Sequence, residues 1–370
     1  MIWIRIGWIV TIVLGMSIFW IIGRTLAGAM RISRMRERNR LFGERPGYGN
    51  DPVSEEGISV VVAGFGEQVR IEQWLGNRYT RYEVVWVVDL RTDFYARALM
   101  DRYAMTAVTL PTLGELPCEG LRALYRSRER RYRRLLLVDS VADDLPGAFN
   151  CGVNVASYDR ILAVDGRSEL LPGALQTLAI EWGEYGEHTP LAVGGYRVFG
   201  LEIGLVRRVS AALRMTFGLA NDCVLLFDRD ALIRVGGYRD PHNPDGELLR
   251  RIRHASHSSP EMLPFAVLRT GNNSSLDQAP IGGRTLFFCL LFFLLLLLFF
   301  VLEDGIGGFV TFLLIVSVAW AAAAAVVAIS VGAARQAGMP FRRGELWICP
   351  LIYPVLLIGR LLFRKNFLSS

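Results

Sequence analysis

Two hydrophobic patterns divide the chain. At its ends the apolar residues run on almost unbroken. Ile2 to Ile22 is interrupted only by Arg5, Thr285 to Leu302 is mainly Leu and Phe, and Phe309 to Val331 is rich in Ala and Val. Leu346 to Phe363 is a fourth such run, broken by Pro350, Pro354 and Arg360. Runs of roughly 20 apolar residues match the thickness of a bilayer. The middle of the chain reads differently. Apolar bursts of strand length stand at Ile58 to Ala63, Tyr82 to Val88, Arg160 to Val164, Leu191 to Phe199 and Cys223 to Phe227. Stretches with helical spacing separate them, near Glu67 to Asn77, Asp93 to Tyr103, Asn150 to Ser157, Leu171 to Trp182, Asp228 to Val235 and Glu247 to Ala255. Glu202 to Phe217 predicts an amphipathic helix suited to a bilayer surface. Residues 104–144 predict short strands at Thr106 to Leu110 and Leu135 to Asp139, with an arginine-rich helix over Arg122 to Arg134 between them. Strands apolar along their whole length, alternating with helices, predict a mostly parallel α/β sheet.

The predicted organisation is a transmembrane helix at 1–23, a basic juxtamembrane segment and linker at 24–57, and an α/β domain at 58–270. Transmembrane helices follow at 285–302 and 309–332, with a third C-terminal hydrophobic segment at 346–363 that spans, re-enters or lies at the interface. The first run has no small-residue cleavage site before its basic flank, so it reads as an uncleaved anchor.

Charge orients this arrangement. The net charge is +6, and Lys365 is the only lysine. Arg24, Arg31, Arg34, Arg36, Arg38 and Arg40 follow the first span, and Arg335, Arg342 and Arg343 follow the third. The loop between the second and third spans carries Glu303 and Asp304 and no base. The positive-inside rule then puts the α/β domain in the cytoplasm. The basic balance reads as orientation and contact with anionic membrane lipid rather than nucleic-acid binding. The five cysteines are dispersed, with no CxxC and no zinc spacing. In a cytoplasmic domain they are expected to be reduced.

Candidate chemistry centres on NCGVNVASYDRILAVD, Asn150 to Asp165, a helix leading into a buried strand that ends on an acid. Open α/β sheets bind ligands outside the carboxyl ends of their strands. Tyr82 to Val88 likewise runs into Asp89.

Taken in order, these segments resemble the membrane-anchored family 2 glycosyltransferases, over about Ile58 to Ala255. ISVVVAGFGE is similar to the opening strand and turn of that fold, and YEVVWVVDLRTD to its second strand. NCGVNVASYDRILAVDGRS is similar to the segment leading into its Asp-x-Asp, with Asn150, Gly152, Ala156 and Asp165 at family spacing. LFDRDALIRVGGYRDPHNPDGELLRRIRHA is similar to the acceptor-side segment, with Asp245, Glu247, Leu248 and Arg251 in the expected positions. The resemblance implies a GT-A-like (Rossmann-like) fold and inverting transfer from a nucleotide-sugar, expected to be UDP-linked, to a lipid or saccharide acceptor at the bacterial inner membrane. It also implies Asp89 and Asp165 on the nucleotide-sugar, Mg or Mn on Asp165, Asp245 as catalytic base, and Glu247 and Arg251 on the acceptor side.

The departures leave alternatives open. Arg167 stands where the second acid of Asp-x-Asp is expected. A hard cation wants several oxygen ligands, so either Arg167 neutralises phosphate itself or it pairs with Asp165 and the site is inactive. Asp93 is either a nucleotide contact or a helix N-cap, and Asp245 either a base or a helix N-cap. His242 is a second proton carrier or a loop residue without a role. Leu145 replaces the lysine the family carries there. Gln278 and Arg284 do not form the Gln-x-x-Arg-Trp signature, which argues against processive polymerisation. The alternative function is a catalytically inactive subunit of a polysaccharide or glycolipid assembly.

Overall fold

The structure is a computed structural model. It describes residues 15–34, 37, 57–64, 71–77, 79–109, 115–118, 120–141, 144–166, 168–170, 173–184, 192–196, 198–199, 201, 204–217, 223–240, 244–256, 261–263, 268–270 and 306–349. The chain forms two compact units: residues 35–200 with 219–276, and residues 1–34 with 201–218 and 277–370. Helix α1 (residues 15–34) belongs to the second.

The α/β unit is built on β1 (Ile58–Ala63), β2 (Tyr82–Val88), β5 (Leu135–Ser140) and β6 (Arg160–Asp165). These four pair in parallel in the order β6-β1-β2-β5. Both flanks are antiparallel. On one side β4 (Leu121–Ser127) and then β3 (Met105–Val108) extend the sheet; on the other, β10 (Cys223–Asp228), β8 (Ala192–Tyr196) and β11 (Glu261–Leu263) follow. The last pairing, β8 with β11, is parallel. The expected parallel sheet therefore holds for the four central strands. A small second sheet joins β7 (Ser168–Leu170), β12 (Leu268–Thr270) and β9 (Val198–Phe199).

β1 and β2 are buried along their whole length, which is why their sequences lack polar alternation. Both faces are covered. Val60, Val62, Val84, Trp86, Val88 and Leu137 pack with side chains of α2 (Ile71–Leu75), α3 (Phe94–Arg102) and α5 (Ala174–Glu184). Fully burying each such aliphatic side chain stabilises the fold by about 1.5–3 kcal/mol. Helix α4 (Leu145–Val155) covers the opposite face. Gly152 lets it sit close, since a Cβ there would collide with Val61 and touch Val87. Asp144 caps α4 by accepting from the Gly147 N–H at 2.8 Å, and Pro146 starts its first turn. That cap begins the helix at Leu145 rather than at Asn150.

Two sequence expectations are corrected here. Arg122 to Arg134 is not a helix: its first half is β4, followed by a short 3-10 turn at Arg130–Tyr132. The edge-proximal strand carries Arg122 and Arg126 among mostly half-buried residues, so no continuous apolar run marks it. The cysteines are not all reduced: Cys118 and Cys151 form a disulfide, their Cα atoms 4.9 Å apart. Two side-chain bonds hold the Cys118 loop over α4. Asn154 accepts from the Leu116 N–H at 3.2 Å and donates to its carbonyl at 2.9 Å.

The other unit contains α1, α6 (Leu205–Phe217) and the long helix α9 (Ile306–Gln336). The stretch Leu313–Gln336 of α9 is long and apolar enough to cross a membrane, with a mean hydropathy of 2.4. Met16, Phe19 and Trp20 on α1 and Leu313, Leu314 and Val318 on α9 are exposed. Helix α6 packs on α9. Its Arg208 is buried and ion-paired to Glu345 at 2.7 Å, donates to the Pro340 carbonyl at 2.8 Å and lies over the Phe341 ring. The expected spans at 1–23 and 346–363 are described only from residue 15 and up to residue 349, and the one at 285–302 lies outside the described residues.

Candidate functional site

Three apolar runs in the sequence end on an acid: Val87-Val88-Asp89, Leu137-Val138-Asp139 and Ala163-Val164-Asp165. The parallel registers carry all three to the carboxyl edge of the sheet. Val88 pairs with Asp139, and Ala63 pairs with Asp165. Strand order reverses at β1, which has β2 on one side and β6 on the other, so this edge holds the crevice where open α/β sheets take ligands. Asp89 and Asp165 flank it on either side of β1, two strand spacings across and with Asp89 two residues further along, roughly 12 Å apart.

Asp89 starts a tight turn into α3. Its carbonyl accepts from the Thr92 and Asp93 N–H groups at 3.1 and 2.9 Å, and its Oδ1 accepts from the Arg91 N–H at 2.9 Å. Arg122 also donates to that oxygen, and this bond is the main cause holding the Asp89 carboxyl below the usual carboxylate range. Asp93 caps α3 by accepting from the Ala96 N–H at 2.9 Å, which answers its double reading in favour of the cap. Arg122 and Asp139 are members of this cluster that the sequence reading does not single out; Arg122 stands in the basic run Arg122 to Arg134, which reads as a solvated or lipid-facing helix or as a donor-phosphate patch. The repeated apolar-run-then-Asp signature marks Asp139; nothing comparable marks Arg122.

The acceptor-side residues form a second network. Gly237 adopts φ +67, a left-handed conformation that side chains rarely take, and a Cβ there would also meet the Asn150 amide and Leu116. Asn150 on α4 grips the next residue at both ends: its Nδ2 donates to the Tyr238 carbonyl at 3.0 Å, and its Oδ1 accepts from the Tyr238 N–H at 2.9 Å. Arg251, on α8 (Pro244–Ser256), donates to the Gly237 carbonyl at 2.5 Å and to the Val235 carbonyl, and is paired with Glu247 at 2.7 Å. Glu247 and Arg251 therefore brace the glycine turn that α4 holds from the other side. Asp245 lies in the first turn of α8, one residue after its first. The residue is 6% exposed.

Arg167, His242, Gln278 and Arg284 lie outside the described residues. Among the described residues no three His, Cys, Asp or Glu side chains converge as a cation site. Asp165 offers one carboxylate where a hard cation wants several oxygens. The described donor set does not fit a divalent ion.

No family model matches the chain, and no curated protein matches it. Among solved structures it is similar to the mannosyltransferase PcManGT from Pyrobaculum calidifontis in complex with GDP-Man and Mn2+. The identity is 15% and the TM-score 0.44, over 96% of this chain and 98% of that one. It is also similar to S. aureus TarS 1-349 in complex with UDP-GlcNAc, at 9% identity and a TM-score of 0.41, over 77% of this chain and 93% of that one. Superpositions this loose identify no activity.

Proposed function

We propose that this chain is a membrane-bound glycosyltransferase. It moves a sugar from a nucleotide-sugar donor, UDP-linked, to a lipid or saccharide acceptor at the membrane, with inversion and without processive polymerisation. One observation carries the reading: Asp89 and Asp165 flank the crevice at the carboxyl edge where the strand order reverses. Asp89 binds the nucleotide, and Asp165 with Arg167 lies by the pyrophosphate. Asp245 is the base, with Glu247 and Arg251 on the acceptor side. In the reaction the acceptor oxygen forms a bond to the anomeric carbon as the carbon–oxygen bond to phosphate breaks. The acceptor proton passes to Asp245, and the nucleoside diphosphate leaves with the bonding electrons. The α/β unit faces the cytoplasm of a bacterial inner membrane, as the arginines flanking the spans support.

A second reading is favoured by a specific observation. A base must reach the acceptor hydroxyl, yet Asp245 is 6% exposed. A catalytically inactive subunit of a polysaccharide or glycolipid assembly has no need of an accessible base.

Calorimetry of UDP binding to the detergent-solubilised protein, with manganese or with a chelator, on wild type and Asp165→Asn separates the readings. Binding lost in the variant supports a working donor site, and independence from manganese assigns phosphate neutralisation to Arg167. Absence of binding by UDP and GDP alike overturns the enzyme reading.

A further inference from the structure

β4 runs antiparallel to β5, with Ala123 opposite Asp139. Its first residues therefore lie at the same edge as the carboxyl ends of the parallel strands. From there Arg122 reaches two acids. Its Nε donates to Asp139 Oδ2 at 3.0 Å and its Nη2 to Asp139 Oδ1 at 2.6 Å, a fork-on-fork pair. The same Nη2 donates to Asp89 Oδ1. Asp139 is itself held, its Oδ1 accepting from the Leu90 N–H at 2.9 Å.

The consequence for Asp89 is asymmetric. Two donors, Arg122 and the Arg91 N–H, share its Oδ1. Its Oδ2 accepts no hydrogen bond among the described residues. The side chain keeps 17% of its surface in solvent. A carboxylate fixed by one oxygen offers the other as a pre-aimed acceptor, which loses little freedom when a ligand N–H or O–H arrives.

We propose that Arg122 is a positioning residue for nucleoside recognition: anchored by Asp139, it aims the open oxygen of Asp89 at a nucleobase N–H or a ribose hydroxyl. The proposal rests on the reading of Asp89 as the nucleotide contact. The charged groups facing Asp89 are Arg122 from β4, Asp139 from β5, Arg91 from the turn, and Asp93 at the head of α3. Arg122 lies nearest in effect, and it keeps Asp89 ionised and well below its ordinary titration range.

The test is calorimetry of UDP and GDP binding to the full-length protein at about pH 4 and about pH 7, each variant read against wild type at the same pH, with a melting curve for each variant. Asp89→Asn is expected to weaken binding at least about tenfold. Arg122→Met is expected to weaken it by a similar factor and to bind less well at the lower pH, because Asp89 loses the cation that keeps it charged. Arg122→Lys restores the charge without the fork; it recovers the flat pH profile and part of the affinity. Asp139→Asn leaves the guanidinium unanchored and weakens binding at unchanged Asp89. A purely structural role for Arg122 would move the melting curves and not the pH profile. Wild-type affinity and profile in Arg122→Met, with Asp89→Asn impaired, overturns the positioning role alone. Wild-type affinity in Asp89→Asn overturns the reading of Asp89 on which it stands. Should Arg122→Met fail to fold, unchanged affinity in both Arg122→Lys and Asp139→Asn overturns the proposal, and loss in both supports it.

Discussion

Two carboxylates at opposite ends of β2 are used in opposite ways. Glu83, near the strand's start, is buried and saturated. Its Oε1 accepts from the Ser59 hydroxyl at 2.7 Å and the Ser157 N–H at 2.5 Å, and its Oε2 accepts from the Ser157 hydroxyl at 2.9 Å. Asp89, one residue past the strand's end, spends one oxygen on the protein and keeps the other at the crevice. Buried polar groups are normally satisfied, so a carboxylate that is saturated from within is a structural tie. A carboxylate held on one side and open on the other is built to meet something else. The same strand, seven residues long, thus carries a tie at its amino end and a candidate contact at its carboxyl end.

Glu83→Ala is expected to make the largest change. It leaves the Ser157 N–H and the Ser59 hydroxyl unpaired inside the fold and costs about 3 kcal/mol, read as a shift in the urea midpoint. The folded fraction should bind UDP as wild type does; weakened affinity would break the contrast. Asp89→Asn is expected to behave in reverse, losing about 1.4 kcal/mol of nucleotide binding, a factor of about ten, with a smaller change in stability. Asp93→Ala should cost about 1 kcal/mol of stability through its cap and leave UDP affinity unchanged. Loss of affinity there would return Asp93 to the binding site.

The smallest effect is in pH dependence. Arg122 lowers the Asp89 pKa in the folded protein, so the ion pair's contribution is complete above the ordinary carboxylate value of about 3.9. It is lost only as pH falls through the depressed folded value. The stability gap between wild type and Asp89→Asn should therefore stay constant near neutrality and close on acidification below about pH 4. Urea melts across that range measure it.

How much of this was readable beforehand follows from burial. β1 and β2 have the bounds their apolar runs predict, because a strand buried on both faces leaves no polar position to blur them. Asp89 and Asp165 were legible for the same reason: each is the first charge after such a run. β4 was not legible. Of its seven residues, Leu124 and Ser127 are buried and the rest half-buried, and two of the half-buried ones are arginines. Long arginine stems cover apolar surface, so a strand of this kind reads as a basic helix. With the strand went Arg122. The disulfide was missed because it joins residues 33 apart that α4 and the Leu116 loop bring together. Redox compartment, inferred from arginine placement, argued against any such bond. A free-thiol count on protein denatured without reductant tests that inference. Two reactive thiols more than expected from the paired state would return Cys118 and Cys151 to the reduced form.

Arg208 brings time into the picture. Its guanidinium is buried against Glu345, a residue 137 positions further along the chain. At a synthesis rate of about 5–20 residues per second, the arginine leaves the ribosome roughly 7–27 s before its counter-ion. Throughout that interval α6 carries Arg208 without Glu345 to pair with. The Arg208–Glu345 contact can close only after α9 and the segment beyond it have been made.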